Sequence, residues 1–273
     1  MPFIRIEDVD LYFQVDGDPA RPALLLSNSL GTELGMWDPQ AAALADDFFI
    51  VRYDTRGHGR SSAGREQVTL GRLGRDVLAL LDHLDIGQAH FCGISMGGMT
   101  GQWLGIHAPD RLDRIVLANT AARIGTPEGW HMRAGQVRRE GLDGVADGAA
   151  GRWFTPAFLA GQPAVAERMI GKLRRQSPEG YANCCHALAL ADLRSSVQAI
   201  PNPVLVIAGR HDPVTTVADA EWLGACIRNR RVEVVDASHL SNVEAPASFT
   251  ACLKAFLPAE NAGKSRSRVC QPG

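Results

Sequence analysis

The pentapeptide Gly93-Ile94-Ser95-Met96-Gly97 has the pattern G-x-S-x-G, and its neighbours give that pattern meaning. The apolar run Ala89 to Cys92 before it reads as a short strand, and Gly98 to Ile106 after it reads as a helix. A serine on such a sharp strand-to-helix turn is held in a strained backbone conformation with its hydroxyl exposed to substrate, and the flanking glycines remove side chains that would clash. The helix N-terminus beneath it also favours developing negative charge. Ser95 is therefore the candidate nucleophile. A chance turn serine has the same pattern, so the assignment depends on its partners.

A serine hydroxyl needs a base to take its proton and a third group to orient that base. For a strand-turn-helix nucleophile the expected chain order is serine, acid, histidine, with acid and histidine each following a late strand. The apolar run Pro203 to Ala208 leads into Gly209-Arg-His-Asp212-Pro, and Arg231 to Val235 leads into Asp236-Ala-Ser-His239-Leu. These positions make Asp212 the candidate orienting acid and His239 the candidate base. Asp212 also stands before a proline, where an aspartate forms turns or caps helices without any chemistry. His58, His83, His90, His107, His131 and His186 follow no late strand and read as surface or packing residues. His211 adjoins the acid without the loop position of a base. Two backbone N–H groups should hold the oxyanion, one from Met96 and one from Leu30 in the loop Ser27-Asn-Ser-Leu-Gly31. The polar stretch Tyr53 to Ser61 reads as a structured turn because of its glycine spacing.

Positioning these groups takes a layered scaffold. Ala23 to Leu26, Phe48 to Tyr53, Arg114 to Asn119 and the two late runs read as buried strands, as in a parallel sheet covered on both faces. Leu73, Val77, Leu80, Leu81 and Leu84 recur at helical spacing and predict a helix over 70–84. The alternation of Phe3 to Val15 predicts an antiparallel hairpin at the sheet edge. Strand and helix stop alternating between about Arg123 and Ser196, where only helical periodicity remains, and the alternation resumes at Pro203. The expected organisation is a core of residues 1–122 and 197–258, a helical cap over 123–196, and a polar, disordered tail over 259–273.

The 28 basic and 30 acidic residues give a net charge of −2, so no global field recruits nucleic acid or an anionic membrane. No run of apolar residues is long enough for a membrane span, and the N-terminus lacks the pattern of a signal peptide. A cytoplasmic protein is expected. The cysteines show no zinc-like spacing and read as core or surface thiols, with a metal or redox pair at adjacent Cys184 and Cys185 as the lesser alternative, and no metal is expected.

Taken together, Leu26-Ser-Asn-Ser-Leu-Gly-Thr32 with Met36-Trp-Asp38, Tyr53-Asp-Thr-Arg-Gly-His-Gly-Arg-Ser-Ser62 and Gly93-Ile-Ser-Met-Gly-Gly98 resemble the 3-oxoadipate enol-lactonases of the α/β-hydrolase superfamily. The resemblance runs from Phe3 to about Leu257. Asn28-Ser29 is the discriminating pair, since many members of the superfamily carry His-Gly there. The resemblance implies an α/β-hydrolase fold: a mostly parallel central sheet, helices on both faces and an inserted helical cap over the nucleophile. It also implies a cofactor-free Ser-His-Asp hydrolase that opens a small lactone bearing a free carboxylate, in bacterial breakdown of aromatics. Trp130, Arg133 and Trp153 are the cap candidates for substrate contact, although tryptophans also serve as core anchors and arginines as solvated helix faces. A carboxylesterase, a cofactor-free haloperoxidase or a carbon–carbon bond hydrolase would use the same three residues. A noncatalytic binding protein on this fold is the more distant alternative, and the sequence leaves the oligomeric state open.

Overall fold

The computed structural model describes residues 2–64 and 67–259. Apart from Ala259, the expected tail lies outside the described residues. Eight strands form one sheet: β1 (Phe3–Ile6), β2 (Val9–Asp16), β3 (Ala23–Ser27), β4 (Phe49–Tyr53), β5 (Ala89–Ile94), β6 (Leu112–Ala118), β7 (Val204–Gly209) and β8 (Arg230–Val235). Their spatial order is β1-β2-β4-β3-β5-β6-β7-β8. β1 and β2 pair antiparallel through Ile6 and Val9, as the alternation of Phe3 to Val15 predicts, and β2 joins β4 antiparallel. Every pairing from β4 to β8 is parallel.

The central strands carry continuous apolar runs because both faces are covered. Leu24, Leu25, Leu26, Phe91, Val116, Leu117, Val206 and Ile207 have no exposed surface, and burying each such side chain contributes about 1.5–3 kcal/mol. The stretch Arg231 to Val235 departs from the expectation of a buried strand. As β8 it is the sheet edge, and Arg230, Arg231 and Val234 are exposed while Val235 is buried. An edge strand has a neighbour on one side only, and charged residues there discourage pairing with another chain.

Helices α1 (Asp38–Leu44), α2 (Leu70–His83), α3 (Met96–His107), α10 (Val217–Cys226), α11 (Ser241–Glu244) and α12 (Pro246–Phe256) flank the sheet. The predicted helix over 70–84 is α2; the Thr69 side chain caps its N-terminus, and Leu73, Val77, Leu80 and Leu81 form its buried face. α3 packs its glycines onto the sheet, where a side chain at Gly101 would run into Phe91 and Leu117.

Between β6 and β7 come six further helices, the cap: α4 (Pro127–Glu140), α5 (Asp143–Asp147), α6 (Ala150–Trp153), α7 (Pro156–Gly161), α8 (Pro163–Arg174) and α9 (Pro178–Leu190). α4 and α9 pack against each other. The cap meets the core where the turn after β4 touches the first turn of α9. A Cβ on Gly57, whose φ is +75°, would lie 2.5 Å from the Gly180 Cα, and Gly59 N–H donates to Gln176 Oε1 at 2.6 Å. No helix among the described residues is long and apolar enough to cross a membrane.

Candidate active site

The carboxyl ends of adjacent strands bring the predicted residues together. Ser95 links β5 to α3 with φ +57° and ψ −115°, a left-handed conformation that costs a non-glycine residue of order 1–3 kcal/mol. The surroundings enforce it: Ser95 N–H donates to Ala118 O at 3.0 Å, and Thr120 Oγ1 donates to Ser95 O at 2.8 Å. Both pattern glycines are required by close approach. A Cβ on Gly93 would overlap the Gly97 carbonyl, and one on Gly97 would overlap that of Ser27.

Asp212 follows β7 and His239 follows β8, and His239 Nδ1 lies 2.8 Å from Asp212 Oδ2. Burial works to raise the Asp212 pKa, but hydrogen bonds from His239, Asn119 and Val214 N–H outweigh it and hold the carboxyl below its ordinary range. An ionised Asp212 accepts from Nδ1–H, which leaves Nε2 of His239 as the acceptor. Thr215 strengthens the carboxylate's cradle with its N–H at 3.1 Å and its hydroxyl at 2.8 Å.

The loop after β3 carries Leu30. Its base is fixed by Asn28, whose Nδ2 donates to Tyr53 O at 2.8 Å and whose Oδ1 accepts from Trp37 Nε1 at 3.0 Å. Gly31 N–H donates to His58 Nε2 at 3.0 Å. His58 is therefore a buried neutral imidazole with its proton on Nδ1, 3.3 Å from Arg56 O, and burial lowers its pKa from 6.5 to about 4. It is a packing residue, as expected of it, and it supports the loop. Among the described residues the N–H groups of Leu30 and Met96 donate to no other protein group. Tyr53 to Ser61 forms the expected structured turn: Asp54 accepts from Leu34 N–H at 2.7 Å and from Arg60 N–H at 2.9 Å.

A cavity of about 310 Å³ opens above Ser95, Leu30 and His239, and Trp130, Arg133 and Trp153 all line it from the cap. Met96 is buried beside Ser95, and its side chain is not part of the lining. Trp130 is oriented by donating Nε1–H to Ile124 O at 2.6 Å, and the Arg133 guanidinium sits 5.1 Å from the Trp130 ring centroid. Sequence reasoning missed Arg152, which lines the same cavity. Burial and the neighbouring Arg133 both push its pKa down. Burial raises the Tyr181 hydroxyl at the same wall, against the pull of Arg133 and Arg152. Among the described residues neither arginine forms a salt bridge, so the cavity carries uncompensated positive charge on its cap side.

Asn119 is the second residue the sequence did not flag. It stands just after β6 with φ +43°, fully buried, and its Nδ2 donates to Asp212 Oδ2 at 3.0 Å and to Ser238 O at 3.2 Å. Its Oδ1 accepts from Ser241 Oγ, so one side chain fixes both the acid and the histidine loop. The available signal was a polar residue closing an apolar strand run. No group of three or more potential metal-ligating side chains occurs among the described residues, and Cys184 and Cys185 are buried free thiols.

A strained serine, a buried histidine–carboxylate pair, two free N–H groups and a cationic wall can together support acyl transfer to an anionic ester. Comparisons with known proteins agree. Residues 22–246 match the model of the alpha/beta hydrolase fold family. The chain is 51% identical to 3-oxoadipate enol-lactonase 2 of Acinetobacter baylyi, over 93% of this chain and 95% of that protein. It is 47% identical to 3-oxoadipate enol-lactonase 1 of the same organism, over 90% and 92%. The crystal structure of the enol-lactonase from Burkholderia xenovorans superposes with a TM-score of 0.91 at 43% identity, covering 93% of this chain and 99% of that one. The chain belongs to the alpha/beta hydrolase fold family and, within it, to the 3-oxoadipate enol-lactonases.

Proposed function

We propose that the protein hydrolyses 3-oxoadipate enol-lactone to 3-oxoadipate through an acyl-enzyme on Ser95. The observation that carries this reading is the meeting, in one cavity, of Ser95 and His239 with two arginines that lack a carboxylate partner. The substrate brings both missing parts, an ester carbonyl for the serine and a carboxylate for the guanidinium groups.

In this mechanism His239 Nε2 takes the Ser95 proton as Oγ attacks the lactone carbonyl, while Asp212 holds the imidazole by Nδ1 and stabilises the imidazolium. The Leu30 and Met96 N–H groups receive the oxyanion; one such donor is typically worth about a hundred- to a thousandfold in kcat. Collapse breaks the ring C–O bond, and the departing enol oxygen takes its proton from His239. The enol then tautomerises to the ketone. Water, activated by His239, attacks the acyl carbonyl, displaces Ser95 Oγ and leaves the second carboxylate of the product. Arg133 and Arg152 bind the existing carboxylate, with Trp130 and Trp153 as apolar walls. The whole sequence uses protein groups and water alone. The reaction belongs to the β-ketoadipate route of aromatic breakdown. A cytoplasmic setting suits it, because a charged lactone does not cross a bilayer unaided.

The test is purified protein with enzymatically generated enol-lactone, followed by loss of the lactone's ultraviolet absorbance. Rapid turnover is expected. Efficient cleavage of p-nitrophenyl acetate with negligible lactone turnover would replace this reading with that of a general esterase.

A further inference from the structure

Glu244 closes α11, five residues beyond His239, and has no part in the proposed reaction. Its carboxylate nevertheless accepts from two separate regions of the chain. Oε2 takes the N–H of Ser238, the residue before His239, at 2.8 Å. Oε1 takes the N–H of Thr155 at 3.2 Å, which also lies 3.4 Å from Oε2, and accepts a hydrogen bond from the Thr155 hydroxyl. Thr155 caps α7, two residues after Trp153 and three after Arg152. The same two segments are joined by Leu240 N–H to Trp153 O at 3.1 Å and by Ser238 Oγ to Arg152 O at 3.4 Å. Residues 152–155 of the cap and 238–240 of the core are thus laced together beside the cavity.

Among the described residues Glu244 has no cationic partner; neutral donors satisfy its carboxylate. An ionised carboxylate offers two oxygens and makes stronger hydrogen bonds than a neutral acceptor. Its two oxygens can therefore hold the histidine loop and the cap segment at once, Oε2 chiefly the former and Oε1 the latter. A glutamine keeps one carbonyl oxygen and puts an NH2 group in place of the other, and that group cannot accept from the N–H facing it, so one of the two ends is weakened.

We propose that Glu244 is a positioning residue that ties the cap segment bearing Arg152 and Trp153 to the loop bearing His239, so that recognition of the substrate carboxylate and placement of the base depend on one side chain. The proposal rests on Arg152 as a carboxylate ligand and His239 as the base.

Two nitrophenyl esters separate the ends: p-nitrophenyl acetate needs only the base, whereas p-nitrophenyl hydrogen glutarate also carries a carboxylate for the cap. Thr155→Val removes the hydroxyl link at the cap end, together with the side-chain cap of α7, and leaves the Ser238 end intact. It should raise KM for the glutarate ester and the lactone about tenfold, with kcat and acetate cleavage within twofold of wild type, and Thr155→Ser should restore the KM. Glu244→Ala cuts both ends and should lower kcat for both esters about tenfold while also raising KM for the charged one. If Glu244→Ala does not fold, the near-isosteric Glu244→Gln takes its place and should still show at least one of these two effects. Equal changes for the two esters in Thr155→Val overturn the proposal. So does a lowered melting temperature in the Glu244 variants with unchanged kinetics on both esters. Should wild type cleave both esters and leave the lactone intact, the function reading fails while the ester pair still decides on the coupling.

Discussion

On the sheet side of the cavity, Ser95, Asp212 and His239 stand at the carboxyl ends of β5, β7 and β8, and hydrogen bonds hold each of them in place. Asp212 alone is held by His239, Asn119, Val214 and Thr215. On the cap side, Trp130, Arg133, Arg152 and Trp153 sit on α4 and α6, and the arginine heads meet few protein acceptors. In the proposed reaction the contrast follows from what each side has to do. Bond making needs donors and acceptors fixed before substrate arrives, whereas a carboxylate site must leave its cations unpaired until the ligand supplies the partner. The sheet side stores its strain at Ser95, and the cap side stores its charge.

Substitutions on either side test that division. The largest effect is expected for Ser95→Ala, with kcat falling by about ten-thousandfold or more and no loss of melting temperature, since alanine removes only the hydroxyl; retained turnover would break the sheet-side assignment. Next comes the pH dependence of stability through His58. Its folded pKa of about 4 lies below the ordinary 6.5. As pH falls through this window the unfolded chain binds a proton that folded His58 refuses, so stability is intact above about 6.5 and is lost progressively down to about 4. The loss should amount to about 3 kcal/mol, at about 1.4 kcal/mol per pH unit. Chemical denaturation at several pH values should show this slope in wild type and a flatter one in His58→Gln.

On the cap side, Arg133→Ala and Arg152→Ala should each raise KM for the lactone by about thirtyfold, from the loss of a hydrogen bond to a charged group worth about 2 kcal/mol, while cleavage of p-nitrophenyl acetate changes little. A matching loss on the neutral ester would mean that these arginines shape the cap and do not read the carboxylate. The smallest effect belongs to Asn119→Ala, which should lower kcat about tenfold through a less firmly held Asp212, with KM nearly constant. A change confined to KM would move Asn119 to the cap's side of the comparison.

The same division explains what was legible in the sequence. Continuous apolar runs announced β3 to β7, and the loops at their carboxyl ends held Ser95, Leu30 and Asp212, with His239 in the loop after β8, because in an open parallel sheet those strand ends are where sites form. β8 was misread as buried: its valines signal a strand, but whether a strand is central or at an edge depends on neighbours that a local pattern does not contain. Asn119 and Arg152 were missed for a related reason. Asn119 matters through contacts with Asp212 and Ser238, about a hundred residues away in the chain. Arg152 stands among the glycines and alanines of a segment whose periodicity gives no facing direction, and only the folded cap turns it toward Ser95. Arg133 and Trp130 were legible as residue types, and the turn of their helix face toward the cavity was not.

The seam at Gly57 and Gly180 has a consequence for protein engineering. There the two backbones touch with no room for a side chain on either, so the cap docks on the core by main chain against main chain. Chimeras that graft a foreign cap onto this core to change its substrate would have to carry a glycine at each of these two positions. A transplant that ignored them would keep every cavity-lining residue and still push its new pocket out of register with Ser95.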